Sequence, residues 1–166
     1  MGKLRQCTDF DLYTEFWETS EQSSPFNSPW FIRSVAENPQ IYFYENESKI
    51  LAALYFESKN GKLIIPKFSV YHSLLFSREL SDGIETARIV TKQRLIANIL
   101  ELLINEFDYS ELSLHPNLQD MRSFTWSNFN SNKPMKFNVE PKYTAVKKIE
   151  IDSNLNLDTT SWSSGR

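Results

Sequence analysis

Apolar and polar positions along the chain recur with two different periods, and each change of period marks a change of element. Near the start, Tyr13, Phe16 and Trp17 fall at helical spacing behind Thr8 and Asp11, which stand three residues apart as in a capping box; the segment closes in the polar run Ser20 to Ser24. Ser28-Pro29 repeats a start signal, a capping side chain followed by a proline whose fixed φ suits the first turn. A short helix is therefore predicted over Trp30 to Glu37, stopped by Asn38-Pro39. A β pattern follows: Ile41 to Tyr44, a polar turn at Asn46-Glu47-Ser48, Ile50 to Phe56, the turn Asn60-Gly61, and Leu63 to Phe68. This reads as a three-stranded antiparallel meander. Asn60-Gly61 is its firmest point, because a two-residue hairpin turn of the favoured hand needs positive φ, which these residues tolerate.

From Thr86 to Phe107 the apolar residues Leu95, Ile96, Ile99, Leu100, Leu103 and Phe107 share one face, and Lys92, Gln93, Asn98, Glu101 and Asn105 take much of the other. This is the principal helix. Tyr109 to His115 then alternates as a half-buried strand stopped by Pro116, and Leu118 to Asn128 reads as another helix. Strands at Met135 to Val139 and Tyr143 to Ile151, separated by Glu140-Pro141, close the pattern. The expected class is α/β of the α+β kind: one domain over residues 1–151, with a mixed, largely antiparallel central sheet flanked by helices, and a tail at 152–166.

Composition narrows the function more than the fold. With 166 residues, 14% of them aromatic, the chain can bury a two-layer core without disulfides or a metal. Its 18 Lys and Arg against 21 Asp and Glu leave a charge of -3, which supplies no field for a nucleic acid or an anionic lipid. The single cysteine, Cys7, excludes an internal disulfide, and two histidines give no cluster with zinc spacing, so a reducing cytoplasmic setting and no metal are expected. The first residues lack the apolar run of a signal peptide, and Ile99 to Ile104 is too short to span a bilayer.

Four local sequences carry a resemblance. Ser24-Pro25-Phe26-Asn27-Ser28-Pro29-Trp30-Phe31, the strand Lys49-Ile50-Leu51-Ala52-Ala53-Leu54, the run Phe107 to Pro116 and Pro141-Lys142-Tyr143-Thr144-Ala145-Val146 resemble, in order, the N-terminal half of FemAB-type acyltransferases. The resemblance covers about Ser24 to Ile151 and implies a GNAT-like fold. It also implies a protein normally built from two such halves, which transfers an acyl or aminoacyl group from acyl-CoA or aminoacyl-tRNA to an amine or hydroxyl. The acceptor would be a small molecule or a cell-envelope precursor. On this reading Asp158 to Arg166 stands at about the junction to a second half, and the chain is expected to need that half, or a partner chain, for a complete active site. The alternative is a non-catalytic binding or assembly module of the same fold.

The residues themselves supply orientation before chemistry. Gly83 is the one glycine placed ahead of a helix where backbone N–H groups would meet a phosphate, with Arg78 and Arg88 near it; a plain loop before the helix is the simpler reading, and no bound cofactor is expected in this half. His115 ends a predicted strand, where ligands gather in open α/β sheets, and suits a general base; it equally suits a loop hydrogen bond. Tyr71 and His72 suit an acceptor groove, with core packing of Tyr71 the competing role. Lys67 and Arg122 are candidate anchors for an anionic acceptor, though each is ordinarily a solvated charge. Phe124, Trp126 and Phe129 read as the buried face of a short helix, Tyr143 as structural, and Glu57 and Glu111 as carboxylates with no evident pairing. No set of nucleophile, base and orienter can be assembled.

Overall fold

The alternating segments become a sheet built on one central strand. In the computed structural model, which describes residues 2–127 and 137–142, β2 (Pro39–Asn46) and β3 (Lys49–Lys59) form a long antiparallel hairpin. β1 (Lys3–Cys7) pairs with the outer edge of β2, while β4 (Lys62–Ile64) and β5 (Leu75–Phe76) both pair with the far edge of β3. All four pairings are antiparallel. The helices are α1 (Phe10–Thr19), α2 (Pro29–Val35), α3 (Glu85–Glu106) and α4 (Arg122–Trp126).

Every residue of β3 from Ala52 to Phe56 is buried, and successive side chains leave on opposite faces. Ala52, Leu54 and Phe56 join Tyr44 against Leu95, Ile96, Ile99, Leu100 and Leu103 of α3. Ala53 and Tyr55 join Ile41, Phe43 and Leu75 against Tyr13 of α1 and Ile32 of α2. A strand apolar on both sides needs a cover on both, and the helices supply it. The fold is thus a mixed α/β one, an antiparallel sheet flanked by helices.

Both tight turns of the meander have positive φ at their two central residues: 51° and 75° at Asn60 and Gly61, and 50° and 65° at Glu47 and Ser48. The second turn reaches the hairpin geometry without a permissive residue, carried by the long β2–β3 ladder. α1 is capped by Asp9, not by Thr8: the Asp9 carboxylate accepts from the N–H groups of Asp11 and Leu12 at 2.9 and 3.2 Å. Asp9→Ala should therefore lower stability by about 1 kcal/mol, with Thr8→Ala within about 0.5 kcal/mol of the parent. Paired urea titrations check this, and equal losses in the two variants would return the cap to Thr8.

Other expectations shift. β1 was not foreseen. The strand expected over Leu63 to Phe68 stops at Ile64, since Pro66 offers no N–H and Phe68 turns to a φ of 62°. Tyr109 to His115 forms no strand but an extended run held by two isolated parallel bridges, Leu63 to Ser110 and Ser73 to Leu114. The helix expected over Leu118 to Asn128 contracts to α4. Within it Phe124 is buried against α3 and meets Phe137, but Trp126 is 66% exposed, so it is not core; Phe129 lies outside the described residues. The closing strand at 143–151, Tyr143 and the tail also lie outside them, and residues 137–139 are not in a strand. No helix among the described residues is long and apolar enough to cross a membrane.

Candidate functional site

The far edge of β3 is shared by two strands that do not meet. β4 covers Glu57 to Lys59 and β5 covers Ala52 and Ala53, so Leu54 to Phe56 pairs with neither. The connection at 65–74 crosses this split, fastened to the run 109–115. Leu63 N–H donates to Tyr109 O at 3.1 Å, Glu111 N–H to Leu63 O at 2.9 Å, and His72 N–H to Ser113 O at 3.0 Å. The Glu111 carboxylate accepts from Ile65 N–H at 3.3 Å, and Ser113 Oγ donates to Val70 O. Glu111 is thus a fastening; Glu57 likewise accepts from Asn38 N–H at 2.7 Å.

Tyr71 and His72 straddle the split in opposite senses. His72 is fully buried, its ring edge-on to Tyr55 and Phe56 with centroids 6.2 and 6.0 Å away. Its Nε2 shares a 2.7 Å hydrogen bond with Ser73 Oγ, and the Tyr55 hydroxyl finds no partner among the described residues. Burial pushes the imidazole down to about 3, so it is neutral at pH 7. The contact has the form of a serine–histidine pair, yet Ser73 is only 2% exposed and no carboxylate among the described residues orients the ring. A nucleophile must reach substrate, so this pair is a plug in the sheet and His72 is not a wall of the groove.

Tyr71 is half-buried and faces the other way. Its ring lies edge-on to Phe26 at 5.9 Å and to His115 at 5.5 Å. His115 Nδ1 accepts from Asn117 N–H at 3.2 Å. A neutral imidazole that accepts at one nitrogen carries its proton on the other, so Nε2 is a donor, and partial burial lowers the pKa and favours this neutral form. In this state the His115 ring has an N–H at Nε2 and its Nδ1 lone pair is already engaged by Asn117. Phe26, Tyr71 and His115 together form a ring-walled surface beside the plugged split.

Lys67 and Arg122 do not join it. Lys67 is exposed and sits 3.6 Å from Glu37 across an open ion pair. Arg122 grips Asp120 through Nε and Nη2 at 3.0 and 2.8 Å, which holds the Asp120 carboxyl well below the usual range. It lines a different hollow, between α3 and α4. Gly83 has a φ of 97° ahead of α3, but the N-cap position of that helix is Ile84, which has no side chain able to cap it, and Arg88 turns its guanidinium back onto Ser81 O. Among the described residues no group of three His, Cys, Asp or Glu side chains is placed to hold a metal ion.

One functional neighbour was missed in the sequence. Asn27 is 1% exposed and ties the segment that presents Phe26: its Oδ1 accepts from Trp17 Nε1 and Ser24 N–H at 2.8 and 2.9 Å, and its Nδ2 donates to Gln22 O at 3.0 Å. Gln22 in turn accepts from Phe76 N–H of β5 at 3.0 Å. The asparagine three residues after Ser24 was the available signal, a cap-like spacing around a 3₁₀ turn at Pro25–Asn27. With this geometry in hand, comparison finds no match for the chain among known protein families, curated proteins or solved structures.

Proposed function

We propose that this chain is the first of two GNAT-like halves of a FemAB-type acyltransferase, and that the surface formed by Phe26, Tyr71 and His115 is one wall of its acceptor groove. The observation that carries the reading is the His115 ring, fixed by Asn117 with its Nε2–H free to donate and packed on Tyr71 beside the split in the sheet. Acyl transfer to an amine or hydroxyl needs an acceptor held at a near-attack distance, and rings with one aimed donor provide that. The four local sequences and the order of helices, meander and long helix support the same assignment. Among the described residues the groove has no base of its own, which leaves proton removal and donor binding, acyl-CoA or aminoacyl-tRNA, to a second half or a partner chain.

The test uses the gene product purified from its source cells. Its intact mass should be about twice the 19.4 kDa of this chain. With acyl-CoA or charged tRNA and amine acceptors, mass spectrometry should detect transfer, and His115→Gln should slow it about tenfold to hundredfold, chiefly through the acceptor. A product of this chain's own mass that transfers nothing moves the assignment to a binding module. Phe68 and Val70, 80% and 46% exposed beside Tyr71, favour that second reading.

A further inference from the structure

The hollow between α3 and α4 stands apart from the Tyr71–His115 surface and holds about 420 Å³, within the usual range of about 300–1,000 Å³ for small-molecule sites. Its described lining is Gln93, Ala97 and Glu101 from α3 with Arg122, Ser123 and Trp126 from α4, closed by Ser127. Trp126 is the odd member. α4 buries Phe124 and leaves the Trp126 indole 66% exposed on the rim.

The polar lining fixes the ligand's charge. Arg122 is the one cation in the described lining, and its charge is already balanced: Asp120 accepts from its Nε and Nη2, and also from Gln93. Glu101 is exposed, and no ion pair or hydrogen bond engages its carboxylate among the described residues. An anion would meet one neutralised guanidinium and one bare carboxylate, so it is disfavoured. Ser123 Oγ, which donates to Gln93 O at 3.0 Å, still has lone pairs to offer, as does the Gln93 side-chain carbonyl. A flat indole, a carboxylate that takes two O–H or N–H donors, and neutral amide and hydroxyl groups match a ring that is apolar on its faces and hydroxylated at its edge.

We propose that the α3–α4 hollow binds a saccharide ring, neutral or amine-bearing, stacked on Trp126 and held at its edge by Glu101, Gln93 and Ser123. This site is independent of the acyltransferase reading.

NMR titration of the purified ¹⁵N-labelled protein tests it, with glucose, glucosamine, N-acetylglucosamine and glucose 6-phosphate as probes and the Trp126 indole signal assigned from Trp126→Phe. At least one uncharged or amine sugar should shift that signal and the amides of Ala97, Glu101 and Ser123 saturably, with a Kd of roughly a few millimolar. Trp126→Ala should weaken binding about tenfold and Glu101→Gln about threefold to tenfold. Both side chains are exposed, and Glu101→Gln keeps the proposal testable should Trp126→Ala disturb α4. No saturable shift up to about 50 mM, unchanged affinity in either variant, or tighter binding of glucose 6-phosphate than of glucose would overturn it.

Discussion

Asn27→Ala should destabilise the fold by about 3–5 kcal/mol, because it strands three groups at once, each of which costs about 1–3 kcal/mol when buried without a partner. Those groups are Trp17 Nε1–H, Ser24 N–H and Gln22 O. The loss has a route to the site: Asn27 O also accepts from the fully buried Tyr13 hydroxyl at 2.7 Å, and the adjacent Phe26 is the ring on which Tyr71 leans. Thermal unfolding should fall by about 10 °C for a domain of this size. A Trp17→Phe background gives a sharper reading. It removes one of the donors that Asn27→Ala strands, so the pair should lose about 1 kcal/mol less than the sum of the single losses. Strict additivity together with a single-variant loss under about 1 kcal/mol would show that water takes over the asparagine's bonds.

Acid should weaken the protein before its carboxylates titrate. Folded, His72 stays neutral down to about 3, whereas in the unfolded chain it takes a proton near 6.5. Because the unfolded state binds more protons between those values, stability is full above pH 6.5 and is lost as pH falls, at about 1.4 kcal/mol per pH unit. Urea titrations at pH 7 and pH 5 should therefore differ by about 2 kcal/mol. His115, also lowered by burial, adds a smaller loss of the same sign, so the decisive comparison is with His72→Phe, which should remove most of the difference. Asp120 and Glu21, whose pKa values are lowered by Arg122 and Ser81, add losses only below about pH 4.5. A His72→Phe protein with the same pH dependence as the parent would place the titrating group elsewhere.

What could be read in the sequence was what local chemistry decides. Asn60-Gly61, Ser28-Pro29 and the stripe from Leu95 to Leu103 each contain their own reason for a turn, a cap or a buried face, and each stands where its pattern put it. β1 has no such reason: only Leu4 and Cys7 are apolar in it, and it is a strand because β2 offers an edge in register. The same holds for β5 and for the bridges that fasten 109–115, which depend on residues dozens of positions away. In the candidate site, adjacency hid opposite fates. Tyr71 and His72 both suited a groove, but alternation across an irregular connection sent one ring to the surface and the other into the sheet. Trp126 misled for the reverse reason, since helical spacing alone does not say which of two rings on a short helix reaches the core.

The manner in which the run 109–115 is fastened also sets an order of events. β2 and β3 are joined by a two-residue turn and can zip locally, whereas Leu63 must find Ser110, and Ser73 must find Leu114, across the whole of α3. Contacts of such separation in sequence form late, and two isolated bridges hold them at less cost to open than a continuous ladder. The segment that carries His115 should accordingly open more readily than the β2–β3 hairpin, and a ligand seated against it would be felt as a tightening of the fold far from any hinge.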